Sequence, residues 1–384
     1  MISKDPLLLM IPGPVSIHQR IYEALARPLI GHRTKEFIEL FGETVKLLKK
    51  VLDTENDVFV ITGSSTSAMD AAIANLVSPG EKVLNVIQGK FSERWKEITE
   101  AYGGIPIVLD VEWGKALREE PLIEMLESNK DIKYITICHN ETSTGILNPA
   151  ERIGQIAREY DKILIVDGVT SVGGDYVYPD KWNFDILVTG SQKCLGIPPG
   201  LGYIWVGPRA WEIINQREFI PSYYLNLKSY KKSFEKDGDP PFTTSIPLVV
   251  AQNEALKMIF EEGLENRILR HRRMAEATRT GVKAIGLELF AEEEYASNTV
   301  TAIKVPEGIP QKELLNNIQK LGVLLTGGQD RIKDKIFRIA HMNTVQEKDI
   351  LLTFSALELS LLKLGFSFQP GSGIGAIEQF LAPQ

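Results

Sequence analysis

Two ionisable side chains lie at the ends of apolar, strand-like runs near the middle of the chain. Lys162 to Val169 has the sequence KILIVDGV and carries Asp167, while the run from Asp185 to Thr189 leads through Gly190-Ser191-Gln192 to Lys193. Open parallel sheets bind ligands beyond the C-terminal ends of their strands, so this acid and this amine are predicted to share a site. Burial favours the neutral amine of a lysine, which can form a Schiff base with an aldehyde.

An acid and a lysine at two such strand ends fit the requirements of pyridoxal phosphate. The cofactor needs a carboxylate to keep its pyridine nitrogen protonated and an amine to hold its aldehyde; for a lone lysine, a place on the surface is the ordinary alternative. The segments VDGVTSVGG at 166–174 and GSQKCLGIPPG at 190–200 resemble the class V aminotransferases of fold type I. Within that family they are similar to the serine/alanine–glyoxylate (or pyruvate) group.

Strand, loop and helix patterns alternate through about residue 206, which predicts a mostly parallel sheet covered on both faces. The resemblance implies an α/β fold in which a large domain has a mostly parallel seven-stranded sheet flanked by helices, followed by a smaller C-terminal α/β domain. It also implies an N-terminal arm at 1–19, a large cofactor domain at 20–260 and a small domain at 261–384. We expect an irregular loop region at 216–239, and a glycine-rich tail at 370–384 that wraps the surface.

A turn of small residues between the strand-like run Asp57 to Ile61 and a helix predicts an anion cradle. Backbone N–H groups at the helix N-terminus and the hydroxyls of Ser64, Ser65 and Thr66 converge on one point there. Ordinary Ser/Thr capping without a ligand is the alternative. With Asp167 and Lys193 downstream, phosphate binding is the preferred interpretation.

The resemblance implies further cofactor contacts. Phe91 matches the aromatic residue that stacks on the pyridine ring, with Trp95 as a rival four residues later, and Thr142 matches the residue that hydrogen-bonds the ring hydroxyl. Val169 and Gln192, beside the acid and the lysine, complete the set within one subunit. His139 and Glu141 form an alternative acid/base pair that the lysine makes unnecessary.

Two residues are expected to bind substrate. Gly13 belongs to the Pro-Gly-Pro segment of the arm, whose backbone in the family helps bind the carboxylate end. Arg338 lies in FRIAHMN, which resembles the family's substrate-binding arginine motif, and a guanidinium presents a rigid fork matched to a carboxylate. A salt-bridged surface arginine is the alternative.

The family also implies a homodimer with shared active sites. Thr243 and Ser245 match positions whose hydroxyls reach the cofactor phosphate of the neighbouring subunit. Phe242 stands where the family often has a tyrosine, which removes one possible hydrogen bond to phosphate.

Composition excludes several classes of function. A net charge of −7 and a pI near 5.5 argue against non-specific nucleic-acid binding. The two cysteines, Cys138 and Cys194, fit neither a disulfide framework nor a metal site, and no apolar run reaches membrane-spanning length. We therefore expect a cytoplasmic enzyme with no metal and no membrane partner.

The resemblance implies pyridoxal-phosphate-dependent transamination between serine or alanine and glyoxylate or pyruvate. Small uncharged donors are favoured because no second arginine is evident for a distal carboxylate. A 2-aminoethylphosphonate or ureidoglycine aminotransferase is the alternative within the family. A cysteine desulfurase would need a cysteine near the C-terminal domain, and a catalytically silent scaffold would not need Lys193 and Asp167.

Overall fold

The computed structural model describes residues 6–382. Residues 1–5 of the predicted arm and residues 383–384 of the predicted small domain lie outside the described residues. The strands in chain order are β1 (Leu8–Leu9), β2 (Asp57–Thr62), β3 (Lys82–Ile87), β4 (Ile105–Asp110), β5 (Ile132–Cys138), β6 (Asn140–Glu141), β7 (Ile146–Leu147), β8 (Ile163–Asp167), β9 (Ile186–Gly190), β10 (Leu201–Val206), β11 (Val300–Lys304), β12 (Val323–Leu324), β13 (Thr326–Gly327) and β14 (Ile336–Ala340).

The α-helices connect and cover these strands. In chain order they are α1 (Gln19–Leu25), α2 (Lys35–Leu52), α3 (Ser65–Leu76), α4 (Lys90–Ala101), α5 (Glu119–Ser128), α6 (Ala150–Glu159), α7 (Pro208–Gln216), α8 (Leu227–Asp237), α9 (Ile246–Glu262), α10 (Leu264–Ala284), α11 (Gln311–Lys320), α12 (Glu347–Lys363) and α13 (Ser372–Leu381). Short 3-10 turns occur at Glu293–Tyr295 and Asp330–Ile332.

The main sheet has seven strands in the order β2-β10-β9-β8-β5-β3-β4, and only β10 runs antiparallel to its neighbours. This confirms the predicted mostly parallel seven-stranded sheet. Parallel sheets are covered on both faces, which explains why their strands are continuous apolar runs. Along β2 the side chains alternate, so that Val58 and Val60 pack in one core while Phe59 and Ile61 pack in the other.

The register of the central strands places the residues of the predicted site next to one another. Cys138 at the end of β5 pairs with Asp167 at the end of β8, and Asp167 pairs in turn with Val188 of β9. Because these strands are parallel, their C-terminal ends lie at one edge of the sheet. Asp167 and the segment leading to Lys193 therefore meet there, as the sequence predicts.

A second, antiparallel sheet has the order β11-β14-β13 and packs with α10 to α13 around its own hydrophobic core. The N-terminal arm joins the two sheets. Its strand β1 pairs in parallel with β12, Met10 accepts a hydrogen bond from Ala340 N–H, and Val15 N–H donates to Gln192 O at 3.3 Å. The exact limits of the arm and the two domains stay predictions.

Two local expectations are wrong. The expected irregular loop at 216–239 contains helix α8, whose Leu227 and Tyr230 are buried, because apolar residues at helical spacing outweigh the polar ones between them. The expected surface tail contains helix α13, which packs on α10 with Ile377 fully buried. Glu358 accepts backbone N–H bonds from Gly371, Gly373 and Ile374, so the glycines permit a close, capped helix start in place of the expected surface tail.

No helix within residues 6–382 is long and apolar enough to cross a membrane. In the same part of the chain, no group of three or more His, Cys, Asp or Glu side chains is arranged to hold a metal ion. Cys138 and Cys194 are both buried and unpaired.

Candidate functional site

A cavity of about 150 Å³ opens at the edge of the sheet where β8 and β9 end. The predicted cofactor residues line it, except for Thr243 and Ser245. Asn140, Met69 and Arg94 line the same cavity and were not predicted from the sequence. The full lining set is Ser64, Ser65, Thr66, Met69, Phe91, Arg94, Asn140, Thr142, Asp167, Val169, Gln192 and Lys193.

Lys193 is only 9% exposed, and its Nζ donates a hydrogen bond to the carbonyl oxygen of Pro12. Burial, followed by the positive charge of Arg338, lowers the pKa of the lysine to about 8. About half of the amine population is then neutral at a mildly alkaline pH of about 8. The neutral amine is the form that captures an aldehyde.

The arm reaches the lysine because residue 13 is a glycine. Gly13 has a φ of +105°, and a Cβ atom there would lie 2.5 Å from Lys193 Nζ. Any larger residue would be strained in this backbone conformation and would collide with the amine. The predicted substrate residue Gly13 is thus in direct proximity to the lysine.

Asp167 is buried beside the lysine, and burial raises its pKa to about 6. Its Oδ1 accepts a 2.8 Å hydrogen bond from the backbone N–H of Val169, which opposes that rise. Cys138 Sγ donates to Oδ2 at 3.7 Å. A cationic hydrogen-bond donor would stabilise the ionised form of this buried carboxylate, and a protonated pyridine nitrogen is such a donor. The acid therefore fits the cofactor that the family resemblance implies.

The predicted anion cradle lies at the start of α3. Ser64 is the N-cap residue but makes no side-chain cap bond, so its hydroxyl is not used by the helix. The first backbone N–H groups of a helix have no intrahelical acceptor, and they face an anion favourably. Gly190 permits the close approach of β9, since a Cβ there would lie 2.7 Å from Ser65 Cβ. The nearby Gln192 Oε1 is buried without a partner in the described chain.

Phe91, rather than Trp95, borders the cavity. Trp95 is fully buried in the core between α4 and the sheet. Phe91 is half-buried and lines the cavity wall, with the guanidinium of Arg94 5.5 Å from its ring centroid. The geometry thus favours Phe91 as the ring that a flat cofactor would contact.

Thr142 is held by Thr170, with 2.8 Å between the two Oγ1 atoms. Thr170 also binds Asn140, whose Oδ1 is buried without a partner in the described chain and belongs to a residue that lines the cavity. A run of polar residues after β5 was the only sequence signal for Asn140.

The alternative acid/base pair does not form. His139 contacts Ser171 Oγ at 3.0 Å, and burial lowers its pKa to about 4. Glu141 instead caps the start of α4, where its Oε2 accepts the Ser92 N–H at 2.8 Å. Neither residue lines the cavity.

Arg338, on β14, is 3% exposed and has no carboxylate partner within the described residues. It donates to the carbonyl oxygens of Thr142 at 3.2 Å and Gly327 at 2.9 Å, while its Nε has no acceptor there. Burial lowers its pKa to about 10. The charge of Glu141 opposes this fall, but no carboxylate of residues 6–382 forms an ion pair with Arg338. A buried guanidinium without an ion-paired carboxylate fits the binding of a substrate carboxylate.

The predicted inter-subunit residues lie elsewhere. Ser245 N–H donates to Thr62 Oγ1 at 3.1 Å, close to the cradle strand, but neither Thr243 nor Ser245 lines the cavity. Their predicted target belongs to the partner subunit, so this assignment stays a prediction. Phe242 packs among Tyr223, Tyr224 and Tyr230.

Comparison with known proteins adds the family context. A family model described as Aminotransferase class-V matches residues 17–347. The chain is 48% identical over 377 residues to an uncharacterized aminotransferase of Methanocaldococcus jannaschii, covering 97% of both chains. It is 33% identical to a serine–glyoxylate aminotransferase of Methylorubrum extorquens, covering 97% of this chain and 95% of that one.

Two further matches differ in their named substrates. An L-aspartate–glyoxylate aminotransferase of Paracoccus denitrificans is 32% identical, covering 99% of this chain and 96% of that one. The crystal structure of a ureidoglycine–glyoxylate aminotransferase from Bacillus subtilis matches with a TM-score of 0.95 at 29% identity, covering 99% of both chains.

Proposed function

The chain belongs to the class V aminotransferase family, and we propose that it transfers the amino group of serine or alanine to glyoxylate or pyruvate with bound pyridoxal 5′-phosphate. The observation that carries this proposal is that a buried lysine and a buried acid line one cavity, while a buried arginine of the second sheet donates to the carbonyl oxygen of Thr142, which lines the same cavity. Lys193, Asp167 and Arg338 come from three different strands or strand ends.

Each residue of the site has a role that follows from the chemistry of its side chain. When bound, the cofactor supplies an aldehyde that captures amino groups and a ring that accepts electrons from the α-carbon. Lys193 Nζ would hold that aldehyde in the resting enzyme and would move the proton of the substrate α-carbon during turnover. Its pKa of about 8 suits a group that must both accept and return a proton.

Two charged groups orient the reactants. Asp167 would hold the protonated pyridine nitrogen of a bound cofactor, which would sustain the ring's ability to accept electrons. Arg338 holds the α-carboxylate and thereby fixes which bond of the α-carbon faces Lys193. The Pro12–Gly13 segment covers the amine and limits the access of water.

The test is a donor and acceptor panel on the purified protein. Initial rates are measured for serine, alanine, aspartate and glutamate against glyoxylate and pyruvate, and kcat/KM is compared. We expect serine or alanine with glyoxylate or pyruvate to have the highest efficiency. If aspartate or glutamate is turned over faster, the proposed substrate class is wrong.

Other donors are specific alternatives. Aspartate is supported by the L-aspartate–glyoxylate aminotransferase of P. denitrificans at 32% identity, and ureidoglycine by the B. subtilis ureidoglycine–glyoxylate aminotransferase. 2-Aminoethylphosphonate is the remaining family alternative. Including all three in the panel separates them from the small neutral donors.

We also propose a homodimer in the cytoplasm, with Thr243 and Ser245 contributing to the partner's cofactor site. An exposed aromatic side chain beside this segment supports an interface, since Tyr223 packs on Phe242 and is 86% exposed in the single chain. Two buried, unpaired cysteines are compatible with a reducing compartment. Light scattering should give twice the mass of the chain; a fully active monomer would contradict the shared site.

A further inference from the structure

Arg94 projects from α4 into the end of the cavity formed by Ser64, Ser65 and Thr66. Its Nη1 donates to Thr66 Oγ1 at 3.2 Å, and its guanidinium carbon lies 5.5 Å from the Phe91 ring centroid. It makes no ion pair with a carboxylate within residues 6–382. A guanidinium has five N–H donors, so most of them are available to a ligand.

The position of this arginine is fixed by the start of its helix. Phe91 and Arg94 are three residues apart on α4 and therefore lie on one face. Glu141 holds the first turn by accepting the N–H of Ser92 at 2.8 Å. Gly89 makes this approach possible, because a Cβ there would collide with the Glu141 side chain.

The charges around the cavity indicate which group of a ligand Arg94 would bind. Lys193 and Arg94 are the two cationic side chains that line the cavity. In the proposed function, Lys193 binds the aldehyde of the cofactor, which leaves Arg94 as the cation available to the phosphate. The start of α3 offers hydroxyls and backbone N–H groups, with a dipole worth only about half an elementary charge. A phosphate group carries more negative charge than this and benefits from a full cation.

We propose that Arg94 binds the phosphate group of the cofactor. The same side chain would then contact both Phe91, the proposed stacking ring, and Thr66 of the phosphate cradle. This inference rests on the proposed function, because it assumes the same cofactor. It has a consequence for specificity: with Arg94 engaged by phosphate, the lining residues offer no further cation to a distal substrate carboxylate.

The experiment measures cofactor binding by the full-length apoprotein without turnover. Absorbance titrations give the Kd for pyridoxal 5′-phosphate and for pyridoxal, which share the aldehyde and ring but differ in the phosphate. The ratio of the two Kd values isolates the contribution of the phosphate. The variants are Arg94→Gln, Arg94→Lys, and Arg118→Gln as a matched control, since Arg118 lies over the Tyr295 ring outside the cavity.

We expect Arg94→Gln to weaken pyridoxal 5′-phosphate binding roughly tenfold to hundredfold, the scale of a charge-assisted hydrogen bond, with little change for pyridoxal. Arg94→Lys should keep part of the ratio, and Arg118→Gln all of it. Equal weakening for both compounds would overturn the proposal and make Arg94 a support for Phe91. An unchanged ratio together with a raised KM for aspartate or glutamate would also overturn it, by assigning Arg94 to substrate.

Failure of the proposed function has a different signature. If the wild-type apoprotein gains no absorbance band with pyridoxal 5′-phosphate, both the function and this inference are wrong. If the wild type binds and Arg94→Gln keeps its Kd ratio, only this inference is wrong.

Discussion

Replacing Arg338 by alanine tests the substrate site most directly. The guanidinium is 3% exposed, and its contacts within the described chain are two backbone carbonyls, so a bound α-carboxylate would be its counter-charge. Removing it leaves that carboxylate buried without a cation. The cofactor contacts of Lys193, Asp167 and the cradle are not part of this interaction, so absorbance of the bound cofactor should survive.

The expected loss can be worked out from the burial of the pair. Loss of one partner of a buried, hydrogen-bonded charge pair costs about 2–5 kcal/mol. At about 1.36 kcal/mol per factor of ten, this corresponds to a roughly 30-fold to several-thousand-fold fall in kcat/KM for serine. Arg338→Lys keeps the positive charge but loses the two-pronged guanidinium, so its kcat/KM for serine should lie between those of the wild type and the alanine variant.

The assay compares serine with ethanolamine, which is serine without its carboxylate. Arg338→Ala should reduce kcat/KM for serine and leave the much lower value for ethanolamine nearly unchanged. An equal fall for both amines would mean that Arg338 only shapes the site. Undiminished efficiency with serine would remove it from the site altogether.

The same variant has a second readout at Lys193. The positive charge of Arg338 contributes, after burial, to the low pKa of the lysine. Its removal should raise that pKa towards the ordinary value, so less neutral amine is present near pH 8. The pH dependence of pyridoxal capture by the apoprotein should therefore shift to higher pH, and a shift to lower pH would contradict the electrostatic argument.

Three further predictions concern the other site residues. Borohydride reduction of the holoenzyme followed by peptide mapping should place the cofactor on Lys193, and a label on another lysine would refute the assignment. Because the folded state raises the pKa of Asp167, the folded apoprotein loses stability relative to Asp167→Asn as the pH rises from 3.8 through about 6. At about 1.36 kcal/mol per pKa unit, denaturant unfolding should show the stability difference moving in favour of the variant by about 3 kcal/mol between acid pH and pH 8, although the activity of the variant falls. A stability difference that does not change with pH would be the contrary result. Gly13→Ala should lower kcat/KM because the added Cβ would collide with Lys193 Nζ. Gly365 is the control: it also has a positive φ, of +84°, but nothing lies within 4 Å of an added Cβ, so Gly365→Ala should reduce only the stability of the fold. Equal losses of activity in the two variants would exclude the collision as the cause.

The positions of Asp167 and Lys193 at one cavity could be predicted from the sequence because they depend on local patterns. Continuous apolar runs ending in Asp167 and shortly before Lys193 are what a buried parallel sheet requires, and strand ends are where such a sheet binds ligands. The turn at Ser64 to Thr66 is equally local, since a few small residues before a helix are enough to form an anion cradle.

Local patterns also misled where packing decided the outcome. The glycines near the C-terminus led us to expect a tail that wraps the surface, but backbone N–H bonds to Glu358, on another helix, cap the start of helix α13 there. Phe91 and Trp95 are both aromatic and four residues apart, so spacing alone could not separate them. Depth in the fold did, because Trp95 is in the core while Phe91 borders the cavity.

The sequence by itself determined the fold class, the strand-end acid and lysine, and the family. Only the tertiary structure decided which distant segments complete the site: Arg338 meets Thr142 from 196 residues away, Pro12 meets Lys193 from 181, and Arg94 meets Thr66 across two helices. Helix and strand periodicity extends over a few turns or residues, whereas these contacts depend on how the arm, the second sheet and α4 pack against the main sheet. No local pattern encodes that packing, so Arg338 could be located by resemblance alone, and Arg94, the cavity's second cation, was missed.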